Sequence, residues 1–434
     1  MKRLQPPTPV LEIAERLEKA GYEAWFVGGA IRDALLGHPH LDWDLATSAT
    51  PAEVREIFGE RRTIPVGIDF GTVGVLDRNG RMHEVTTFRR DVRTDGRHAE
   101  VEFGASLEED LARRDFTINA IAYSASRDQR CDPFGGQQDL ERGIVRAVGD
   151  AEARMREDRL RALRAIRFAA RFSFAIDRDT LSAIQGSAAH LGRLSLERVK
   201  QELDKTMEQV CRPSTALRLW RSTGAFATLI PRLADASDEA LAVSDFLAMP
   251  GARSRPARRA IRFAGLLAGL SSRDAVDVLT ELRASRHEIQ SIGTLVDLWN
   301  RQGEAMAASL TSATPPNDGV IRRWVATTGR LHVGSFMRLA SGIWEARRTF
   351  GGVAPSKRSV RRAYRRMLHS AFRDPIDLAS LAIDGDDLRR AGIPAGPGLG
   401  KILQALLSAV LDDPSLNRAD WLLQEALRRH SLHQ

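Results

Sequence analysis

Apolar residues recur at helical spacing from Pro9 to Ala20, where Leu11, Ile13, Ala14, Leu17 and Ala20 share a face, so a first helix is expected there. Ala24 to Val27 is a short apolar run ending on Gly28-Gly29 and reads as a strand. Ala30 to Leu36 returns to helical spacing and closes on Gly37. Asp42 to Leu45 reads as a second strand. In Thr50-Pro51-Ala52-Glu53, a capping threonine, a proline at the first helical position and a glutamate at the capping-box position predict a helix start. Thr72 to Asp77 and Met82 to Phe88 read as two more strands, joined by the turn signal Arg78-Asn79-Gly80. From Ala151 onward helical periodicity dominates, interrupted at Arg212-Pro213-Ser214, Met249-Pro250-Gly251, Thr314-Pro315-Pro316 and Gly351-Gly352. The pattern predicts an α+β protein. A small α/β head with a mixed sheet containing antiparallel pairs spans 1–150, and all-α segments follow at 151–212, 213–350 and 351–434.

Bulk properties narrow the class. A chain of 434 residues is too long for one ordinary core. Basic residues exceed acidic ones by 64 − 56 = 8, which favours a polyanionic partner. The two cysteines, Cys131 and Cys211, are too few for a disulfide framework or a zinc cluster and suit a reducing cytoplasm. No apolar run reaches the ~20 residues of a membrane span. The N-terminal stretch leads into an amphipathic pattern, unlike a signal-peptide core. Basic clusters at Arg253 to Arg262 and at Lys357 to Arg366 read first as solvated helix faces, with nucleic-acid contact as the second reading.

Four stretches carry candidate chemistry. On a strand, residues two apart point the same way, so Asp42 and Asp44 set two carboxylates side by side. Such a pair repels unless a cation lies between, and hard oxygen ligands suit Mg²⁺. Gly28-Gly29 offers backbone that a phosphate can approach closely. Glu84, on the Met82 strand, is the candidate third carboxylate; its bland alternative is an exposed strand glutamate. Arg113, Arg114, Asp115 and Asn119 bring two guanidinium forks for phosphate oxygens and two side chains able to bond a ribose hydroxyl. Their alternative is a capped helix start with surface arginines. In Glu157 to Phe168, read on a helix, Asp158 and Arg161 lie three apart on one face and Arg164 extends it, able to read a base edge or to form ordinary surface salt bridges. Between them, Arg89 to Phe103 is polar and reads as a mobile loop, either a lid or a connector.

Together these stretches resemble the class II tRNA nucleotidyltransferase and bacterial poly(A) polymerase family of the DNA polymerase β superfamily. VGGAIRDALLG followed by DWD, then EVTTFR, RRDFTINAIAY, DPFGG and EDRLRALRAIRFAARF occur in the family's order over roughly the first 175 residues. LSLERVKQEL and RAGIPAGPGLGKILQALL extend a weaker likeness. The resemblance implies that Asp42 and Asp44 bind two Mg²⁺ ions, with Glu84 as third carboxylate. Gly28 and Gly29 would form the phosphate-side turn, with Arg32 and Asp33 in the same nucleotide-binding motif. Arg113, Arg114, Asp115 and Asn119 would contact triphosphate and ribose. Asp158, Arg161 and Arg164 would serve as a protein template for CTP and then ATP. The segments after 150 would be neck, body and tail, the last two holding tRNA by its 3′ end and acceptor and elbow region, without a membrane. Ile64 to Val73 looks like the tRNA-specific members, and Asp91 to Ala99 resembles the loop that switches CTP for ATP. CCA addition is therefore the expected activity. A-only or CC-only addition, poly(A) synthesis and a catalytically inactive RNA-binding homologue are the alternatives.

Overall fold

The computed structural model describes residues 4–38, 43–94, 99–248 and 256–431. Asp42, half of the expected carboxylate pair, lies outside them. The chain divides into two compact units, residues 1–206 with 215–234, and residues 207–214 with 235–434.

The first unit is built on a mixed sheet. Its strands are β1 (Ala24–Val27), β2 (Asp44–Thr47), β3 (Thr63–Gly67), β4 (Thr72–Leu76), β5 (Met82–Thr87), β6 (Arg89–Thr94), β7 (Ala99–Phe103), β8 (Ala122–Ser124) and β9 (Gln129–Cys131). Seven of them form one sheet in the order β3-β4-β5-β2-β1-β8-β9, while β6 and β7 pair separately. β2 and β5 run parallel, and the other neighbours in the large sheet are antiparallel. Helices α1 (Thr8–Lys19), α2 (Gly29–Leu35), α3 (Pro51–Phe58) and α4 (Leu107–Ala112) accompany it. Next come α5 (Gly136–Arg142), α6 (Ala151–Glu157), α7 (Leu160–Phe172), α8 (Arg178–Ser187) and α9 (Leu196–Gln209).

Strand alternation separates two faces. Trp25, Val27, Ala46 and Ala122 turn to one side and join Phe88, Leu107, Leu111, Ala120 and Val148 in a buried core. Phe26 and Leu45 turn to the other and are fully buried, as are Ile13 and Leu17 of α1. α3 starts as its sequence predicts: the Thr50 side chain accepts from the Glu53 amide and Glu53 answers the Thr50 amide. The Asp77 carboxylate shapes the β4–β5 turn by accepting from the amides of Asn79 and Arg81, and Gly80 sits there at φ +76°.

Three expectations are corrected. The second strand continues to Thr47, two residues past the expected end at Leu45; its first described strand residue is Asp44, and the expected start at Asp42 lies outside the described residues. Arg89 to Phe103, expected as a loop, contributes two strands: β6 and β7 pair antiparallel, and residues 95–98 lie outside the described residues. The helix expected through Asp158 is broken there. α6 ends at Glu157, and Asp158 takes extended backbone (φ −143°, ψ 105°) before α7 begins.

The second unit is helical. The helices Pro256–Leu267, Arg286–Thr311 and Val333–Thr349 enclose its core, where Trp299 and Trp344 meet at 6.2 Å. Arg262 is 1% exposed and donates to the carbonyls of Met207, Val210, Cys211 and Leu247, so its charge is buried against backbone dipoles.

Candidate active site

The site gathers where β1 ends and β2 begins. Val27 and Asp44 are register partners, so the turn after Val27 lies level with Asp44. Trp43, 5% exposed, meets Phe26 edge-on at 5.6 Å, which anchors it on the α1 and α3 side. Alternation then sends Asp44 to the opposite face, the one carrying Val27 and Ala46. Leu45 pairs with Val85 in the parallel β2–β5 ladder, and continuing that register sets Asp44 level with Glu84 on the same face. Asp44 is half-buried and Glu84 exposed. Among the described residues no three His, Cys, Asp or Glu side chains cluster as a metal-holding group. Asp44 and Glu84 are carboxylates on adjacent strands, and carboxylate oxygens are hard donors of the kind that suits a divalent cation; Asp42 lies outside the described residues.

Gly28 is required at its position twice over. Its backbone adopts φ +74° and ψ −135°, a conformation that an L-residue with a side chain avoids. A Cβ there would also lie 2.9 Å from Nη1 of Arg114. Arg114 and Arg113 are both held by Asp110, which is 1% exposed: Nη2 of Arg113 reaches Oδ1 at 2.6 Å and Nη2 of Arg114 reaches Oδ2 at 3.2 Å. Burial alone would raise the Asp110 pKa, but the two guanidinium groups outweigh it and hold the carboxyl below its ordinary range. Both arginines keep about a fifth of their side-chain surface exposed, at 18% and 20%.

A chain of buried polar contacts then connects the remaining candidates. Arg32 and Asp33 of α2 are 4% and 1% exposed. Arg32 donates to Asp33 at 2.7 Å and to Oδ1 of Asn119 at 2.6 Å, and its guanidinium lies over Phe168 and Phe172. Asp33 also accepts from Arg171 at 3.1 Å. Asn119 donates to Oδ1 of Asp115 at 2.9 Å, and Oδ2 of Asp115 accepts from Arg164 at 2.9 Å. Arg164 lies 3.7 Å from Glu202 of α9, which takes Arg167 at 2.6 Å. Burial would raise the Asp115 carboxyl's pKa, yet Arg164 and the Asn119 amide bring it below the ordinary value; Arg164 is in turn stabilised in its charged form by Asp115 and Glu202. These contacts make Arg32, Asp33, Asn119 and Asp115 a brace between α2, the segment after α4, and α7.

Asp158 and Arg161 are reached from further elements. Oδ1 of Asp158 accepts from the Leu160 amide at 3.0 Å and Oδ2 from Arg198 of α9 at 2.7 Å. Arg161 is 9% exposed and donates to the carbonyl of Arg154, to Glu157 at 2.7 Å and to the carbonyl of Arg113 at 3.0 Å. That last bond ties α7 to the backbone of the arginine pair. Sequence reasoning missed Asp110, Glu202, Arg171 and Arg198. A signal existed in the acidic residue three positions before Arg113 and in LSLERVKQEL, but pairing partners about 40 residues apart leave no spacing rule to read.

The comparisons with known proteins fall on the same architecture. Residues 24–146 match the family model described as Poly A polymerase head domain, and residues 173–237 the one described as Probable RNA and SrmB- binding site of polymerase A. The fold is a nucleotidyltransferase head followed by a helical remainder. A CCA-adding enzyme of Geobacillus kaustophilus is 36% identical over 435 residues, 99% of each chain. The crystal structure of the Bacillus stearothermophilus CCA-adding enzyme in complex with CTP is 32% identical, covers 99% of each chain and superposes with a TM-score of 0.74. The Thermotoga maritima CCA-adding enzyme complexed with tRNA_CCA shares the fold, at 21% identity and a TM-score of 0.67 over 99% of this chain and 97% of its own. The chain belongs to the family of CCA-adding enzymes, which are nucleotidyltransferases. Enzymes of this kind generally use divalent metal ions. Among the described residues no helix is long and apolar enough to cross a membrane.

Proposed function

We propose that this enzyme adds C, C and A to the 3′ end of tRNA from CTP and ATP, using Asp42, Asp44 and Glu84 to hold two Mg²⁺ ions. The observation that carries this reading is the end-to-end match to a CCA-adding enzyme, 36% identical over 99% of both chains. When bound, the ions lower the pKa of the primer 3′-hydroxyl and neutralise the departing pyrophosphate. Asp44 and Glu84 face that position from adjacent strands. The Gly28-Gly29 turn lets triphosphate oxygens approach the backbone, and Arg113 and Arg114, fixed by Asp110, supply positive charge beside them. Asp115 and Asn119 orient the ribose, while Arg32 and Asp33 keep Asn119 in place.

Base choice is assigned to Asp158, Arg161 and Arg164. Cytosine and adenine each present an exocyclic amine next to a ring nitrogen acceptor. A carboxylate accepts from the amine and a guanidinium donates to the nitrogen. Uracil and guanine offer a carbonyl where the amine would be, and repel the carboxylate. Of the five N–H donors of Arg161, three are used among the described residues, in its bonds to Arg154, Glu157 and Arg113, and those on Nε and the second of Nη2 are assigned to a base. The switch from CTP to ATP is assigned to the stretch Asp91 to Ala99, of which residues 95–98 lie outside the described residues.

The tRNA is held by the helical part, which divides into a neck (151–212), a body (213–350) and a tail (351–434) after the head (1–150). The helix Lys357–Arg373 supports this. Its buried side is Val360, Ala363, Met367, Ser370 and Ala371. Arg358, Arg361, Arg362 and Arg365 are exposed, with no ion pair among the described residues. Such a face suits an RNA backbone. The reaction's place is the cytoplasm. Replacing Asp44 by alanine tests the metal assignment: Mg²⁺-dependent incorporation of labelled CTP into tRNA lacking its CCA end is expected to vanish, and full incorporation would refute it.

A further inference from the structure

We propose that Arg198 is a positioning residue for base selection: it aims the Asp158 carboxylate, and so sets the preference for bases bearing an exocyclic amine. The inference rests on the base-reading role of Asp158 given above. Asp158 lies outside both neighbouring helices. It occupies the break between α6 and α7, in extended backbone at φ −143° and ψ 105°. Two contacts fix it instead. The Leu160 amide takes Oδ1 at 3.0 Å, and Nη2 of Arg198 takes Oδ2 at 2.7 Å. The first is local and leaves rotation about the carboxylate axis; the second comes from the start of α9 and removes it.

The pair is poorly placed to serve stability alone. The Arg198 and Asp158 side chains keep 31% and 25% of their surface exposed, and ion pairs that meet solvent contribute little to folding. Exposure of both places the carboxylate where a ligand can reach it. Arg198 also limits competition. Arg164 lies within electrostatic reach of Asp158, although its guanidinium bonds Asp115. With Arg198 removed, Asp158 is free to swing toward Arg164 and pull it from the brace. Arg198 therefore keeps the two carboxylates, Asp115 and Asp158, each with its own guanidinium. Lysine can supply the charge but not the planar fork that fixes direction.

The test uses the full chain with Arg198→Ala, Arg198→Lys and Asp158→Ala. Equilibrium binding of CTP and of UTP is measured without tRNA. The ratio of kcat/KM for the two nucleotides is measured on tRNA lacking its CCA end, and thermal midpoints are recorded alongside. In Arg198→Ala the CTP-to-UTP ratio is expected to fall about tenfold, as for loss of one charge-assisted hydrogen bond to the base edge. CTP binding weakens, UTP binding does not, and the midpoint stays near wild type. Arg198→Lys recovers part of the ratio, and Arg198→Ala adds nothing in an Asp158→Ala background. An unchanged ratio in Arg198→Ala, or an equal loss for both nucleotides with a lowered midpoint, would overturn the proposal while leaving Asp158 as base reader. Wild-type protein that binds CTP and UTP alike would overturn the base-reading role, and this proposal with it.

Discussion

Asp115→Asn should be among the costliest single changes in the first unit, because it removes one charge from the middle of a buried chain. The substitution keeps the shape, and its Oδ1 can still accept from the Phe116 amide, as Asp115 does at 2.9 Å. Opposite Arg164 it presents either a weaker acceptor or an NH₂ group. Breaking a buried pair by neutralising one partner costs about 3–5 kcal/mol. The lower end applies here, about 3 kcal/mol, because the Arg164 side chain is 30% exposed and Glu202 remains 3.7 Å away. With an ordinary urea dependence this moves the unfolding midpoint of the first unit down by about 1–2 M. Trp25, Trp43 and Trp220 lie in that unit and report its transition by fluorescence. The pH dependence carries a sign. Asp115 has a folded-state pKa below its unfolded one, so its stabilisation is complete above about pH 4 to 5 and is lost as pH falls through the folded value. The gap between wild type and variant should therefore be constant from neutral pH to about pH 5 and begin to close below about pH 4. A midpoint within experimental scatter of wild type at neutral pH would refute the reasoning, as would a gap that closes on the alkaline side.

Other expectations follow from single contacts. Gly28→Ala meets both the left-handed backbone and Arg114 Nη1; strain of about 1–3 kcal/mol is expected, with a raised KM for CTP as the arginine shifts, and a fully active, fully stable variant would remove the turn from the phosphate site. Changing Arg361 and Arg365 together to alanine leaves a good helix former at both exposed positions. It should weaken tRNA binding and lower the salt slope, by about 0.9 for each phosphate no longer neutralised, with CTP binding unchanged. An unaltered slope would exclude that helix face from the tRNA surface.

Much of the fold is legible in local pattern, and the failures have physical causes. The Thr50 capping box and the Arg78-Asn79-Gly80 turn are local devices, and both stand as expected. β3 escapes the pattern because it lies at the sheet edge with three consecutive exposed residues, Pro65 among them, so no alternation announces it. β8 and β9, three residues each, are too short for any period to register. The β6–β7 strands mix charged residues with apolar ones, and their pairing, Arg89 with Phe103 and Arg90 with Glu102, is visible only once the strands meet. The break at Asp158 cannot be anticipated from EDRLRALR, since every residue there tolerates a helix. For the candidate site, the residue types are legible and their partners are not. Spacing alone puts Asp158 on a helix face turned to a base, whereas it sits in a break steadied by Arg198 from 40 residues away. Motif order singles out Arg32 and Asp33, but their burial and their bonds to Asn119 and Arg171 come only with the fold. Glu84, the least specific of the carboxylates in the sequence, gains support from a register that only the folded sheet supplies.

The central claim is that one metal-assisted site, with a protein template for base choice, completes tRNA with CCA. It is tested most directly by incubating the purified protein with Mg²⁺, all four NTPs and tRNA lacking its 3′ end, then sequencing the products. Products ending in CCA are expected, with none in a parallel reaction using Asp44→Ala. A long A tail, a terminus stopping at CC, addition of A alone, or no incorporation at all would contradict it.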